Sequence, residues 1–212
     1  MSTSHRAYDA AARALSFICA LVAIIVLSPL LVIVALAVRV TLGRPVFFTQ
    51  ERPGLAERLF TVHKFRTMRM AARPLSSLDA VATDANRMTR LGRLLRATSL
   101  DELPQLFDVV RGDMNLVGPR PLLSEYLGRY SAYQARRHEV RPGMTGWAQV
   151  NGRNRAPWDD RFNMDVWYVD HRSVWLDLKI LVRTIWVALS RQGVSAEGSE
   201  TALPYEGNGR QD

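Results

Sequence analysis

The chain has 212 residues, with 28 Lys+Arg against 20 Asp+Glu and a formal net charge of +8. With 48% hydrophobic and 23% charged residues it is not a wholly disordered chain, and its single cysteine, Cys19, excludes a disulfide framework and a cysteine-based zinc site. The positive excess points to an anionic partner, whether nucleic acid, a membrane surface or a phosphorylated substrate. Only Lys64 and Lys179 are lysines. Arginine's planar fork suits phosphate, although codon bias in a GC-rich genome accounts for the preference equally well.

Residues 14–38, ALSFICALVAIIVLSPLLVIVALAV, carry no charge over 25 positions. As a helix the run is roughly 37 Å long, enough to cross a hydrocarbon core of about 30 Å, and it is too long for a simple signal peptide. Ser28-Pro29 falls just past its centre. Pro29 has no N–H for the Ile25 carbonyl and crowds it, so a kink is expected, with the Ser28 hydroxyl free to bond a carbonyl one turn back. Arg6 and Arg13 precede the run, and Arg39 and Arg44 follow it. Positive charge on both flanks gives a crossing helix no orientation and suits one that bends back to the same face. The residues alone leave spanning and re-entrant forms open.

Residues 45–70 read as extended and turn structure: strand-like Val46-Phe47-Phe48, a Pro53-Gly54 turn, and Leu59 to Val62 as a second short strand. Residues 71–86 read as a surface loop. RMTRLGRLLR (87–96) has helical spacing, with Met88, Leu91, Leu94 and Leu95 on one face and Arg90, Arg93 and Arg96 opposite. That arginine face suits solvent, lipid headgroups or a phosphate aimed at by Arg96. Helices are also expected at 100–111, 122–139, 159–169 and 176–189, with a Gly-, Arg- and amide-rich loop at 141–155. Trp167, Tyr168, Trp175 and Trp186 form either an interfacial belt or ordinary core. Residues 191–212 read as a disordered polar tail.

No P-loop, G-x-G-x-x-G, H-E-x-x-H or G-x-S-x-G occurs, and His5, His63, His138 and His171 show no ligand spacing. The most suggestive segment is TSLDELP (98–104). Ser99 with Glu102 fits the capping box S-x-x-E, so Asp101 and Glu102 have a purely structural reading as helix-end acids. They have a chemical reading too: an Asp acts as a nucleophile toward phosphorus and an adjacent Glu holds Mg2+, with Arg96, Arg111 and Arg120 on phosphate oxygens. Arg120 sits in the rigid run Gly118-Pro119-Arg120-Pro121.

Six blocks in sequence resemble the monotopic phosphoglycosyl transferases of the bacterial sugar transferase family: KFRTM (64–68), TSLDELPQL (98–106), RGDMNLVGPRP (111–121), RPGMTGWAQVNGRN (141–154), DVWYV (165–169) and LDLKIL (176–181). The resemblance covers about residues 8–190. It implies an α+β fold, mostly helical with a few short strands, in a monotopic membrane protein. Residues 1–44 would be a re-entrant helix broken at Ser28 and Pro29, and residues 45–190 a catalytic domain with interfacial helices on the cytoplasmic face of the bacterial inner membrane. It further implies transfer of a sugar 1-phosphate from a UDP-sugar to undecaprenyl phosphate, releasing UMP and starting a surface or glycoprotein glycan. Asp101 would be the nucleophile of a ping-pong reaction through an aspartyl-phosphosugar, and Glu102 would hold Mg2+. Lys64, Arg66, Arg96 and Arg120 are the expected phosphate ligands. Gln149, Asn151 and Arg153 are expected at the nucleotide, chiefly from their polar, Gly-flanked loop.

This would be a short form holding only the catalytic domain, without the extra N-terminal membrane helices of larger relatives. Two departures stand out: Asp108 replaces an expected Asn, and Leu55-Ala56-Glu57 replaces a Gly-containing turn. Membrane lipid is an expected partner and nucleic acid is not. A membrane-embedded helix leaves room for a homodimer. Against the transferase stand a non-enzymatic membrane-anchored module binding acidic lipid or other polyanions, and a membrane enzyme moving only a nucleotide or pyrophosphate group.

Overall fold

The computed structural model describes residues 3–70, 87–152, 156–189 and 205. The apolar run lies within α1 (Thr3–Leu42), which stays helical through Ser28-Pro29. The Ser28 hydroxyl donates to the Ile25 carbonyl at 2.8 Å, the acceptor that Pro29 leaves without an N–H. At the C-terminal end Gly43, with φ +79, donates its N–H to the Arg39 carbonyl at 3.1 Å, a left-handed cap that suits glycine. One stripe of α1 is buried along its length: Ala12, Ser16 and Ala20 in the first half, Val34 and Val38 in the second. Away from the stripe the middle of the helix exposes apolar side chains, with Ile25 65% and Ile33 62% exposed.

The stripe packs on the body of the chain throughout. Ala20 joins Leu106, Val109 and Met114, while Val34 and Val38 join Phe65 and Leu95. Near its start, Tyr8 donates to Asp177 Oδ2 at 2.6 Å, Asp9 accepts from Arg172 Nε at 2.9 Å, and Arg13 Nη1 donates to the Val109 carbonyl at 2.6 Å.

The extended region is an antiparallel ribbon of β1 (Phe47–Pro53) and β2 (Leu59–Phe65), paired from Phe47↔Phe65 to Pro53↔Leu59. Both strands run longer than the sequence pattern suggests, because cross-strand pairing continues past the apolar residues. The connecting turn holds Ala56 at φ 52 and Glu57 at φ 62, left-handed conformations that cost a side-chain-bearing residue about 1–2 kcal/mol.

The first expected amphipathic helix is α2 (Arg90–Ala97), where the Thr89 hydroxyl accepts from Gly92 N at 2.9 Å. Gly92 is required by close approach: a Cβ there would fall 2.0 Å from the Thr67 carbonyl oxygen. Met88 and Leu95 are buried as expected, but Leu94 is 58% exposed, so the apolar face is narrower than the spacing implies. A 3-10 turn at Leu100–Glu102 then leads into α3 (Gln105–Arg111), shorter than the helix expected over 100–111.

Residues 122–139 are broken rather than one helix: a 3-10 segment Ser124–Arg129, then α4 (Ala132–Ala135), then a second 3-10 segment Arg136–Glu139. The break comes where Tyr130 turns into an aromatic cluster and Ser131 opens a new helix with a full capping box to Gln134. The expected loop at 141–155 contains structure: β4 (Gly143–Thr145) pairs in parallel with β3 (Asn115–Val117), and α5 (Trp147–Asn151) follows.

The final helices are α6 (Trp158–His171) and α7 (Val174–Leu189). Tyr168 is core, sharing hydrogen bonds with Tyr8 and Asp177, whereas Trp175 and Trp186 are 75% and 71% exposed beside Val182 and Ile185. The expected loop at 71–86 lies outside the described residues, as does most of the expected tail. Tyr205, within that tail, is buried among Tyr126, Tyr130, Trp158 and Phe162.

Candidate active site

Three remote segments converge on Glu102. Lys64 projects from the end of β2, Asp101 and Glu102 from the 3-10 turn, and Arg120 from the proline-braced segment after β3. Glu102 Oε1 accepts from Lys64 Nζ and from Arg120 Nη2, both at 2.6 Å, while Oε2 takes only a 3.4 Å contact from Arg120 Nη1. The turn enters at Ser99 in a left-handed conformation (φ 57, ψ 17) and without a side-chain cap. The capping box is therefore not formed: an N-cap needs extended backbone, and the Glu102 carboxylate is committed to two cations.

The paired carboxylates have been driven apart in acidity. Burial would raise Glu102, but Arg120 and Lys64 outweigh it and hold the carboxyl well below the ordinary range. Asp101 is buried and accepts no hydrogen bond among the described residues. Burial, joined by the Glu102 charge, pushes it up to about 6 against the pull of Lys64, Arg96 and Arg120. Asp101 is thus more basic than an ordinary aspartate, and among the described residues no hydrogen bond holds its carboxylate. Burial and the Arg120 charge lower the Lys64 ammonium, with Glu102 opposing, and Glu102 raises Arg120.

Arg96 also stands at the dyad, with Nε donating to Thr67 Oγ1 at 3.2 Å and its charge felt by Asp101. Arg66, also expected at phosphate, has other partners: its buried guanidinium donates to the carbonyls of Leu42, Gly43 (3.1 Å) and Arg44 (3.2 Å), closing the C-terminal end of α1. Arg111 leans on Asp108 at 3.5 Å. Gln149 and Asn151 are not brought to the dyad by any contact. Gln149 Nε2 donates to the Met144 carbonyl at 3.1 Å and Asn151 Nδ2 to the Trp147 carbonyl at 2.8 Å, because the segment is helix α5 rather than a loop. Arg153 lies outside the described residues.

Three positioning features escaped the sequence reading. Arg137 and Asp165 form a buried ion pair at 2.8 Å, and Arg137 Nη2 also donates to the Arg120 carbonyl at 2.6 Å, fixing the segment that aims Arg120. Asp108, fully buried, accepts from the His63 backbone N–H at 2.9 Å and contacts His63 Nδ1 at 2.7 Å, locking the residue before Lys64. Arg52, on β1, adds a further cation beside Arg120, and burial followed by Arg120 repulsion lowers it to about 10. Asp165 stands in the DVWYV block, a signal that could have marked it; for Arg52 and His63 the sequence carries none. A cavity of about 690 Å³ lies away from the dyad, lined by Glu57, Asn115, His138, Tyr168 and Arg172 among others.

Two carboxylates of split acidity among several cations suit chemistry on phosphate, in a chain that also carries a long apolar helix. Residues 7–191 match the family described as bacterial sugar transferase, and the chain belongs to that family. It is an enzyme, a phosphoglycosyl transferase, which sets aside the non-enzymatic module. Over 172 residues it is 51% identical to the uncharacterized sugar transferase EpsL of Bacillus subtilis (strain 168), covering 81% of this chain and 84% of that one. It is 40% identical over 187 residues to the UDP-glucose:undecaprenyl-phosphate glucose-1-phosphate transferase of Caulobacter vibrioides, covering 84% and 70%. Similarity to the undecaprenyl-phosphate galactose phosphotransferase of Salmonella typhimurium is 39% over 196 residues, covering 85% of this chain but 41% of that longer one.

Proposed function

We propose that the chain transfers a sugar 1-phosphate from a UDP-sugar to undecaprenyl phosphate and releases UMP, the first membrane step of a bacterial surface glycan. The observation that carries this reading is the split dyad, a basic unpartnered Asp101 beside a Glu102 pinned by Lys64 and Arg120. The Caulobacter and Salmonella relatives, named for glucose and galactose transfer to undecaprenyl phosphate, support the donor and acceptor classes.

In the first half-reaction an Asp101 oxygen attacks the phosphorus that bears the sugar. A carboxylate–phosphorus bond forms, the bond to the bridging oxygen breaks, and the electron pair leaves with UMP. In the second, an oxygen of the lipid phosphate attacks the same phosphorus and the Asp101 carboxylate departs, leaving the sugar on a lipid diphosphate. Lys64, Arg96 and Arg120 neutralise the phosphate oxygens throughout. The donor set also fits magnesium, which binds through one or two carboxylates plus substrate phosphate oxygens and water. Glu102 Oε2, with its one long contact, would hold it. Bound there, the ion would supply charge neutralisation at the diphosphate.

The packing of α1 supports a re-entrant path. Tyr8, Asp9 and Arg13 fasten its start, and Arg66 its end, to one body. A helix crossing the bilayer would carry its two ends to opposite sides. The bare apolar face of α7, with Trp175 and Trp186, suits the interface of the same leaflet, where a soluble nucleotide meets a lipid phosphate. The direct test is the purified protein with UDP-glucose or UDP-galactose, Mg2+ and undecaprenyl phosphate, assayed for UMP. Asp101→Asn abolishes release while the fold persists; normal turnover in that variant would defeat the covalent mechanism.

A further inference from the structure

Cross-strand pairs and alternate residues in a ribbon point to one face. Phe48↔Lys64, Gln50↔Val62 and Arg52↔Phe60 are pairs of β1 and β2, so Lys64, Gln50 and Arg52 share a face. Lys64 touches Glu102 from that face, so it is the one turned to the dyad. Arg52 Nη2 donates to Gln50 Oε1 at 2.6 Å, a neutral side chain that orients the guanidinium without cancelling its charge. Among the described residues Arg52 has no carboxylate within ion-pair distance, unlike Lys64 and Arg120. The next residue, Pro53, shares a small cleft with Pro119, Arg120 and Pro121, which brings the strand end against the Arg120 segment. On that face Arg52 lies farther along β1 than Phe48, the partner of Lys64, and against the Arg120 segment, so it stands outward of Lys64 with Arg120 and Glu102 among the charges that act on it.

Resting on the transferase reading above, we propose that Arg52, oriented by Gln50, holds the phosphate monoester farther from Asp101: the phosphate of UMP as it leaves and of the lipid as it enters. The phosphorus that reacts must lie against Asp101, so the second phosphate of the donor extends outward past Arg120. Among the described residues the Arg52 guanidinium, without a carboxylate in ion-pair distance, is available there. In a ping-pong reaction the departing and arriving monoesters flank the same phosphorus and use one subsite in turn.

The test uses the full chain in lipid nanodiscs. Arg52→Gln weakens inhibition by UMP on the order of 10- to 100-fold and raises the KM for polyprenyl phosphate, while Arg52→Lys recovers part of both. Thermal melting checks that each variant is folded. A second measurement needs no variant: phenylglyoxal labelling of the unaltered protein, mapped by mass spectrometry, in which UMP protects Arg52 and Arg120 but leaves the exposed Arg183 reactive. Undiminished UMP inhibition of Arg52→Gln, or labelling of Arg52 that UMP does not slow, overturns the assignment. Failure of the unaltered protein to release UMP from any UDP-sugar would instead overturn the transferase reading, so the two failures are distinct.

Discussion

Replacing Asp101 by Asn should abolish turnover and at the same time stabilise the protein. Asp101 rises from its ordinary 3.8 to about 6 because it is buried beside Glu102, so folding favours its protonated form. Stability from that proton is fully present below pH 3.8 and is lost as pH rises through 6, since the folded state binds more protons across that window. At 1.36 kcal/mol for each pH unit, the ionised Asp101 costs the folded state about 3 kcal/mol at neutral pH. Asn is neutral at every pH and recovers that cost, which for a chain of this size is a gain of roughly 6–12 °C in Tm. Differential scanning fluorimetry or calorimetry in detergent, on both proteins from pH 4 to 8, measures it. The two melting curves should nearly coincide at pH 4, separate as pH rises toward 6, and stay a constant distance apart above it. Equal Tm values at pH 7.5, or a difference independent of pH, would refute the reasoning that burial and the Glu102 charge raise Asp101.

Further outcomes follow from the same geometry. Turnover has an acid limb: kcat/KM for the UDP-sugar should rise with pH through about 6 and level off near neutrality as Asp101 ionises, read from a pH–rate profile. Asp165→Asn leaves the buried Arg137 guanidinium without its ion-pair partner and loosens the grip on the Arg120 carbonyl, costing about 3–5 kcal/mol of stability in a denaturant titration and lowering kcat. Ala56→Gly relieves a left-handed alanine at φ 52 and should raise stability by about 0.5–1 kcal/mol without changing turnover. Tyr205→Ala removes a ring packed on Tyr126, Trp158 and Phe162, and hydrogen bonds to Arg129 and Gln134; a loss of about 3 kcal/mol is expected in the same titration.

Much of the chain's business is local and so could be read in its sequence. An uncharged run of 25 residues can only be a helix seeking an apolar setting, and Ser28 meets the Ile25 carbonyl that Pro29 abandons because both are one turn away. The helices around 159–169 and 176–189 follow from periodicity alone, whereas the helix expected from residue 87 begins only at Arg90, behind a cap at Thr89. The dyad was legible as a pair of acids, with Arg120 braced by prolines. Tertiary contact alone decided what those acids are. Whether Glu102 caps a helix or meets Lys64 and Arg120 depends on a strand 38 residues before it and a segment 18 after it. Arg66 and Arg52 look alike as arginines, yet one closes the end of α1 and the other is held by Gln50 on the ribbon face turned to the dyad. The acidity of Asp101 likewise belongs to no segment of the chain, because burial and the neighbouring charges that set it are assembled only when the ribbon, the turn and the proline run close around it.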